Sequence, residues 1–182
     1  SGLPDAALLA TQQQAFSDLD LYHPCLLLVD EAIDLARRCE QAAFAVSPEI
    51  SNSEGTSVSI QEGQFISANS LGFIGGYPSS RHYLSCSVIA GKEENMQRDD
   101  WYSTARDMQK IAAPEAIGDY AARRALARLG ARKIKTCKVP VLFEAPLASS
   151  LIGNFIHAIS GGSLYRKTSF LVDSLGKNVF SK

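Results

Sequence analysis

The chain has 182 residues, 46% of them hydrophobic and 20% charged, and a formal net charge of −1. That length supports one sizeable core or two small ones, and the composition excludes a disordered, collagen-like or disulfide-stapled protein. A nearly neutral balance also excludes a broad nucleic-acid surface, which needs a dense field of Lys and Arg.

Residues 4–17 (PDAALLATQQQAFS) predict a short helix with Pro4 near its first turn, broken by DLDLYHP. A clearer helix is expected from Asp30 to about Phe44. Ile33, Ala36, Cys39 and Ala43 share its apolar face, and Asp30 and Glu31 complement the positive end of its dipole. After Ser47-Pro48 the pattern changes. Residues 49–106 read as short runs of alternating character, and Val58/Ile60 and Tyr83/Ser85/Ser87 carry the two-residue period of strands with one buried face. Asn52 to Gly55, Glu62-Gly63 and Asn69 to Gly72 are the expected turns, and short connections predict an antiparallel meander.

A helix should run from Pro114 to Leu129 and stop at Gly130, burying Ile117, Tyr120, Ala121, Ala125 and Leu129. The basic run Arg123, Arg124, Arg128, Arg132, Lys133, Lys135 and Lys138 lies late in that helix and just after it, where cations suit the helix dipole. Next, residues 139–145 (VPVLFEA) read as a buried strand. Pro146 then opens a helix ending at Gly161-Gly162, followed by a glycine-rich loop and extended segments. The fold class is therefore α+β: an antiparallel meander with helices on one side, then a strand–helix unit beginning a second domain. The expected division is residues 1–136 and 137–182. The opening Ser-Gly-Leu, and apolar residues still arriving at the other end, are expected of a stretch within a longer protein.

Searching these elements for chemistry yields little. Gly72, Gly75 and Gly76 fit neither phosphate-loop pattern and read as turn or bulge glycines. The histidines His23, His82 and His157 form no H-E-x-x-H or H-x-H pair. His82 and Cys86 share a strand face but sit about 13 Å apart, too far to hold one metal ion. His157 reads as a core or interface residue. Cys25, Cys39, Cys86 and Cys137 are widely spaced, as expected of reduced, individually packed thiols in a cytosolic protein. Glu93-Glu94 and Asp99-Asp100 read as solvated turn charges. No apolar run approaches the roughly 20 residues needed to cross a bilayer. The residues by themselves predict no catalytic group and no metal ligand.

Several stretches together resemble the PmbA/TldD family, specifically its PmbA (TldE) branch. They are DLYHP (20–24), DEAIDLARRCEQAA (30–43), ISNSEG (50–55), GGYPSSRHYLSCSVIAG (75–91), ENMQRDDWYSTARD (94–107) and KVPVLFEAPLASSLIGNFIHAISGGSLYRKTSFLVDSLGK (138–177). The TldD-type subunit of that family carries H-E-x-x-x-H before its glycine-rich R-K segment, with two zinc-binding histidines on one helical face and the Glu as general base. Anchored on Arg166-Lys167, the matching residues here are Gly153, Asn154, Phe155, Ile156, His157 and Ala158. Neither histidine nor the glutamate is present, and His157 is one place off, turned about 100° around the helix. What the resemblance implies is a non-catalytic subunit of a cytoplasmic peptidase complex. A TldD-type partner supplies the zinc, self-association is possible, and the substrates are small or unfolded peptides. Ser160, Gly161, Gly162, Arg166 and Lys167 are the expected peptide- or partner-contacting residues. The family's older label, modulator of DNA gyrase, leaves a second expectation: an interaction module with no proteolytic role.

Overall fold

The computed structural model describes residues 18–179, so the helix expected over residues 4–17 lies outside the described residues. The chain divides between Arg132 and Lys133 into two compact units. The fold of the first is α+β. Helix α1 (Val29–Val46) is followed by strands β1 (Ile50–Ala68), β2 (Ile74–Ala90) and β3 (Gln97–Ala105), then helix α2 (Pro114–Ala127). The strands form one antiparallel sheet in the order β1-β2-β3, the expected meander. Among the described residues no helix is long and apolar enough to cross a membrane.

The expected short runs are in fact three strands, two of them long. Asn52 to Gly55 is no turn: the β1–β2 register shifts between Ile50 and Asn52 and again between Ser53 and Gly55, so the extra residues are absorbed as bulges. Gly55 takes the positive φ of 112° that such an irregularity needs. Glu62-Gly63 simply continues the ladder opposite Ser80 and Ser79. Gly75 and Gly76, also expected in turns or bulges, lie in regular β2 opposite Ser67 and Ile66. Asn69 to Gly72 is a true turn, with the Asn69 Oδ1 accepting from the Leu71 and Phe73 amides at 3.0 and 3.2 Å.

Strand β2 carries the core. Ser80, His82, Leu84, Cys86, Val88 and Ala90 are all buried on the helix side, so the period read from Tyr83, Ser85 and Ser87 is right and those residues mark the opposite face. Against this face lie Cys39 and Ala43 of α1 and Ile117, Ala121, Ala122 and Ala125 of α2. Two residues assigned to the helices' buried faces are instead exposed, Ile33 at 48% and Tyr120 at 42%. They lie at the margin of each stripe, where Tyr120 meets Trp101 edge-to-face at 4.6 Å.

Small side chains let the two helices approach closely. A Cβ on Gly118 would collide with the Cys39 carbonyl oxygen and lie 3.1 Å from the Ala43 nitrogen. All four cysteines are free, but Cys39 and Cys86 are not packed individually. Both lie in the same buried cluster, and the neighbouring Cys86 thiol, followed by burial, pushes the Cys39 thiol up.

The basic residues of α2 are engaged locally. Arg123 pairs with Asp119 at 2.7 Å, while Arg124 and Arg128 reach Asp99 of β3 at 3.2 and 3.4 Å. Arg124 also lies 5.1 Å over the Trp101 ring. Asp99 is thus a half-buried strand residue rather than a solvated turn charge. Burial opposes its ionisation, but the Asp100 amide and the two guanidinium groups outweigh burial and hold the carboxyl below its usual range.

Two outcomes follow. Gly118→Ala should cost about 1–3 kcal/mol in urea unfolding, because the added carbon forces α1 and α2 apart; unchanged stability would refute the close approach. Asp99→Asn should cost about 1–3 kcal/mol near neutral pH. Because the folded carboxyl is depressed, its contribution is present above the ordinary aspartate value and fades as pH falls through the folded value. The wild-type advantage should therefore begin to shrink below about pH 4 and disappear only once pH falls below the depressed folded value, as read by thermal melts across pH.

Candidate functional site

In the second unit, helix α3 (Ala145–Ala158) begins with Pro146 in its first turn, as its sequence requires. The preceding residues 139–145 form no strand. Val141 and Phe143 are exposed and Leu142 is 97% exposed, because among the described residues of this unit no strand lies alongside to complete a ladder. The segment after Tyr165 folds as successive turns rather than extended pieces.

Helix α3 holds the positions that resemble the zinc motif. Gly153, Asn154 and His157 are exposed, whereas Ala158 is 7% exposed. Positions five apart on an α-helix diverge by about 140°, so Gly153 and Ala158 do not share one helical face, and the one-face expectation for this spacing does not hold on α3. His157, expected in a core or interface, is exposed and so is no core residue of this unit. The residue types do not fit zinc: glycine and alanine offer no ligand, and Asn154 cannot serve as a general base. Among the described residues no three His, Cys, Asp or Glu side chains are grouped to hold a metal ion.

The expected contact residues follow directly, though not as a loop. α3 ends at Ala158, and Gly161-Gly162, instead of only stopping it, opens a new short helix, α4 (Gly161–Tyr165). Ser160 is the cap that makes this possible: its Oγ accepts from the Ser163 amide at 3.4 Å and lies 2.8 Å from the Ser163 Oγ. Arg166 folds back so that its guanidinium covers Gly162, where a Cβ would sit 3.5 Å from the nearest Nη. Lys167 takes a φ of 55°, closing the turn, and the Thr168 amide donates to the Ser163 carbonyl at 3.0 Å. Ser160, Gly161, Gly162, Arg166 and Lys167 are thus gathered on one exposed turn around the buried Ser163. Two adjacent cations there can meet a carboxylate or a row of peptide carbonyls.

A second concavity lies in the first unit. β3 pairs with β2 only from His82 onward, so the hairpin of residues 63–79 projects as a two-stranded arm. The segment 18–25 returns alongside its base. Leu21 accepts from the Ser80 amide at 2.9 Å, the Ser80 Oγ accepts from the His23 amide at 2.9 Å, and the His82 Nε2 lies 3.1 Å from the His23 carbonyl. On the sheet side, Glu62 accepts from the Tyr22 hydroxyl and the Cys25 amide at 3.2 and 3.1 Å. Between this segment and the arm runs a groove of about 780 Å³, with Leu19, Leu21, Phe65 and Tyr77 among its lining residues and Asp18 and Asp20 also contributing. Sequence reasoning missed it. Phe65 and Tyr77 are 12 positions apart and come within 5.3 Å only through the strand register.

Similarity to known proteins accords with this architecture. Residues 22–129 match the model of the PmbA/TldA metallopeptidase central domain, and residues 136–182 that of the PmbA/TldA metallopeptidase C-terminal domain. The chain is 45% identical over 179 residues to the metalloprotease PmbA of Escherichia coli O157:H7, covering 98% of this chain and 39% of that protein. It is 42% identical to the PmbA homolog of Haemophilus influenzae, again covering 39% of the relative. Among solved structures, a protein described as a modulator of DNA gyrase from Bacteroides thetaiotaomicron superposes with a TM-score of 0.85 at 26% identity, covering 94% of this chain and 39% of that one. A similarly described protein from Thermotoga maritima gives 0.82 at 25% identity, with 92% and 39% covered. The chain therefore spans about two-fifths of the length of these relatives. Matched by family models over both its units, it belongs to the PmbA/TldD metallopeptidase family.

Proposed function

We propose that the protein containing this chain is a non-catalytic subunit of a cytoplasmic zinc peptidase complex that processes small or unfolded peptides. The observation that carries the reading is α3, which has Gly153 and Asn154 exposed and Ala158 buried where zinc chemistry needs two histidines and a glutamate. In this reading zinc and the general base come from a TldD-type partner. The Ser160–Lys167 turn contributes Arg166 and Lys167 as contacts to peptide or partner, and the same surface is open to self-association.

A second reading, an interaction module without a proteolytic role, draws on the gyrase-modulator descriptions of the two structural relatives. Mixing separates the two. The full-length protein should be inert on unfolded peptides by itself and should support hydrolysis when combined with a zinc-bearing family member. Arg166→Ala with Lys167→Ala should lower turnover by about tenfold, a loss of about 1.4 kcal/mol, or impair assembly on size exclusion. Unchanged assembly together with unchanged turnover would remove the turn from the mechanism. Chelator-sensitive hydrolysis by the isolated protein would contradict the non-catalytic assignment, and an inert mixture would favour the interaction module.

A further inference from the structure

The hairpin arm leaves part of a strand unpaired beside an apolar, acid-rimmed groove. In a regular ladder, backbone groups two residues apart point the same way. The Ser80 amide points away from β1, since it donates to Leu21 at 2.9 Å. The register is unbroken from Ile74 to Ser80, so the backbone groups of Gly76 and Ile74 face that same side. Among the described residues no strand pairs there, because β3 joins only from His82 and segment 18–25 only at Ser80. The edge is thus open at Ile74 and Gly76, while Pro78, which has no N–H, offers only its carbonyl between Gly76 and Ser80.

Side chains around this edge specify what fits. Tyr77 and Phe65 form a tilted aromatic pair at 5.3 Å on the groove wall, both about half exposed. Leu19 and Leu21 close the opposite wall. Asp20 takes a φ of 51°, so the chain bends sharply before Leu21 and brings Asp18 and Asp20 to the rim. The Asp18 carboxylate accepts only from the Asp20 amide, and Asp20 meets only His23, at 3.3 Å, so neither is neutralised by Lys or Arg among the described residues. The groove volume of about 780 Å³ lies within the range of small-ligand and side-chain pockets.

We infer that this groove is a peptide-docking site: an extended segment adds to the Gly76 edge of β2, seats an aromatic or large aliphatic side chain against Phe65 and Tyr77, and places a neighbouring Lys or Arg between Asp18 and Asp20. Backbone pairing supplies sequence-tolerant affinity, and the pocket and rim supply the preference. The inference rests on the peptide-handling reading above for the fate of the docked segment. It adds a place and a sequence preference to that reading.

The test uses the full-length protein and three fluorescein-labelled unstructured decapeptides that differ only at a central pair, Phe-Lys, Phe-Glu or Ser-Lys, read by anisotropy. The Phe-Lys peptide should bind at least about tenfold more tightly than either of the others. Tyr77→Ser should reduce its binding by about tenfold, Asp18→Lys with Asp20→Lys should reverse the Lys-over-Glu preference, and Tyr102→Ser, on the distant aromatic pair with Tyr83, should change neither. The exposed Asp18 and Asp20 can be changed without touching the core, so the charge reversal remains decisive even if Tyr77→Ser alters the arm. Equal binding of the three peptides, or a preference indifferent to the charge reversal, overturns the inference. So does a dimer that Tyr77→Ser dissociates, which would assign the groove to a second copy. Binding that appears only after residues 1–17 are removed would assign it to the chain's own N-terminal stretch and overturns it equally. Peptide turnover by the mixed complex is followed in parallel. Selective docking without turnover would refute the subunit reading and leave the groove standing, whereas turnover with no selective docking would do the reverse.

Discussion

At Gly118 helix α2 lies so close to α1 that one added carbon would strike the Cys39 carbonyl oxygen, and the first unit is organised around that contact. A short interhelical distance requires small residues on both sides, which is why the core is rich in Ala43, Ala121, Ala122 and Ala125 and why a cysteine stands at position 39. Larger side chains are relegated to the sheet and the margins: Leu84 and Val88 project from β2, and Ile117 fills the gap between them and the helices. The Asp99–Arg124–Trp101 cluster then fixes how α2 sits on β3, by charge and stacking rather than by apolar volume. These constraints hold β2 in place, and β2 in turn supplies both the core and the open edge of the arm.

Much of this frame is legible in the sequence, and the failures have identifiable causes. α1, α2 and α3 are announced by acidic or proline starts and a 3.6-residue period, local signals that survive in the folded chain. The sheet's antiparallel order is legible for the same reason, since only short connections join its strands. Strand length is not. Asn52 to Gly55 and Glu62-Gly63 have turn chemistry, but the register of β2 carries them along as bulge and ladder. Residues 139–145 show the converse, a strand-like composition with no strand beside it among the described residues of its unit.

The candidate site divides in the same way. The five expected contact residues, Ser160, Gly161, Gly162, Arg166 and Lys167, were identifiable from the resemblance, yet their shape depends on Ser160 capping α4, which overrides the helix-stopping reading of Gly161-Gly162. The groove was invisible because it is assembled from residues 18–22 and from positions on both strands of a hairpin. No local pattern marks such a site, since its aromatic residues look like ordinary alternation until the register is known.

Function turns on α3. Where the resembled zinc motif would need two imidazoles and a carboxylate, this helix has Gly153, Asn154 and a buried Ala158, and among the described residues no three His, Cys, Asp or Glu side chains are grouped to hold a metal ion. The most direct measurement is the zinc content of the full-length protein after isolation from any partner and dialysis against trace zinc. The account predicts no stoichiometric zinc. One tightly held ion per chain, lost on substitution of residues in α3, would contradict it.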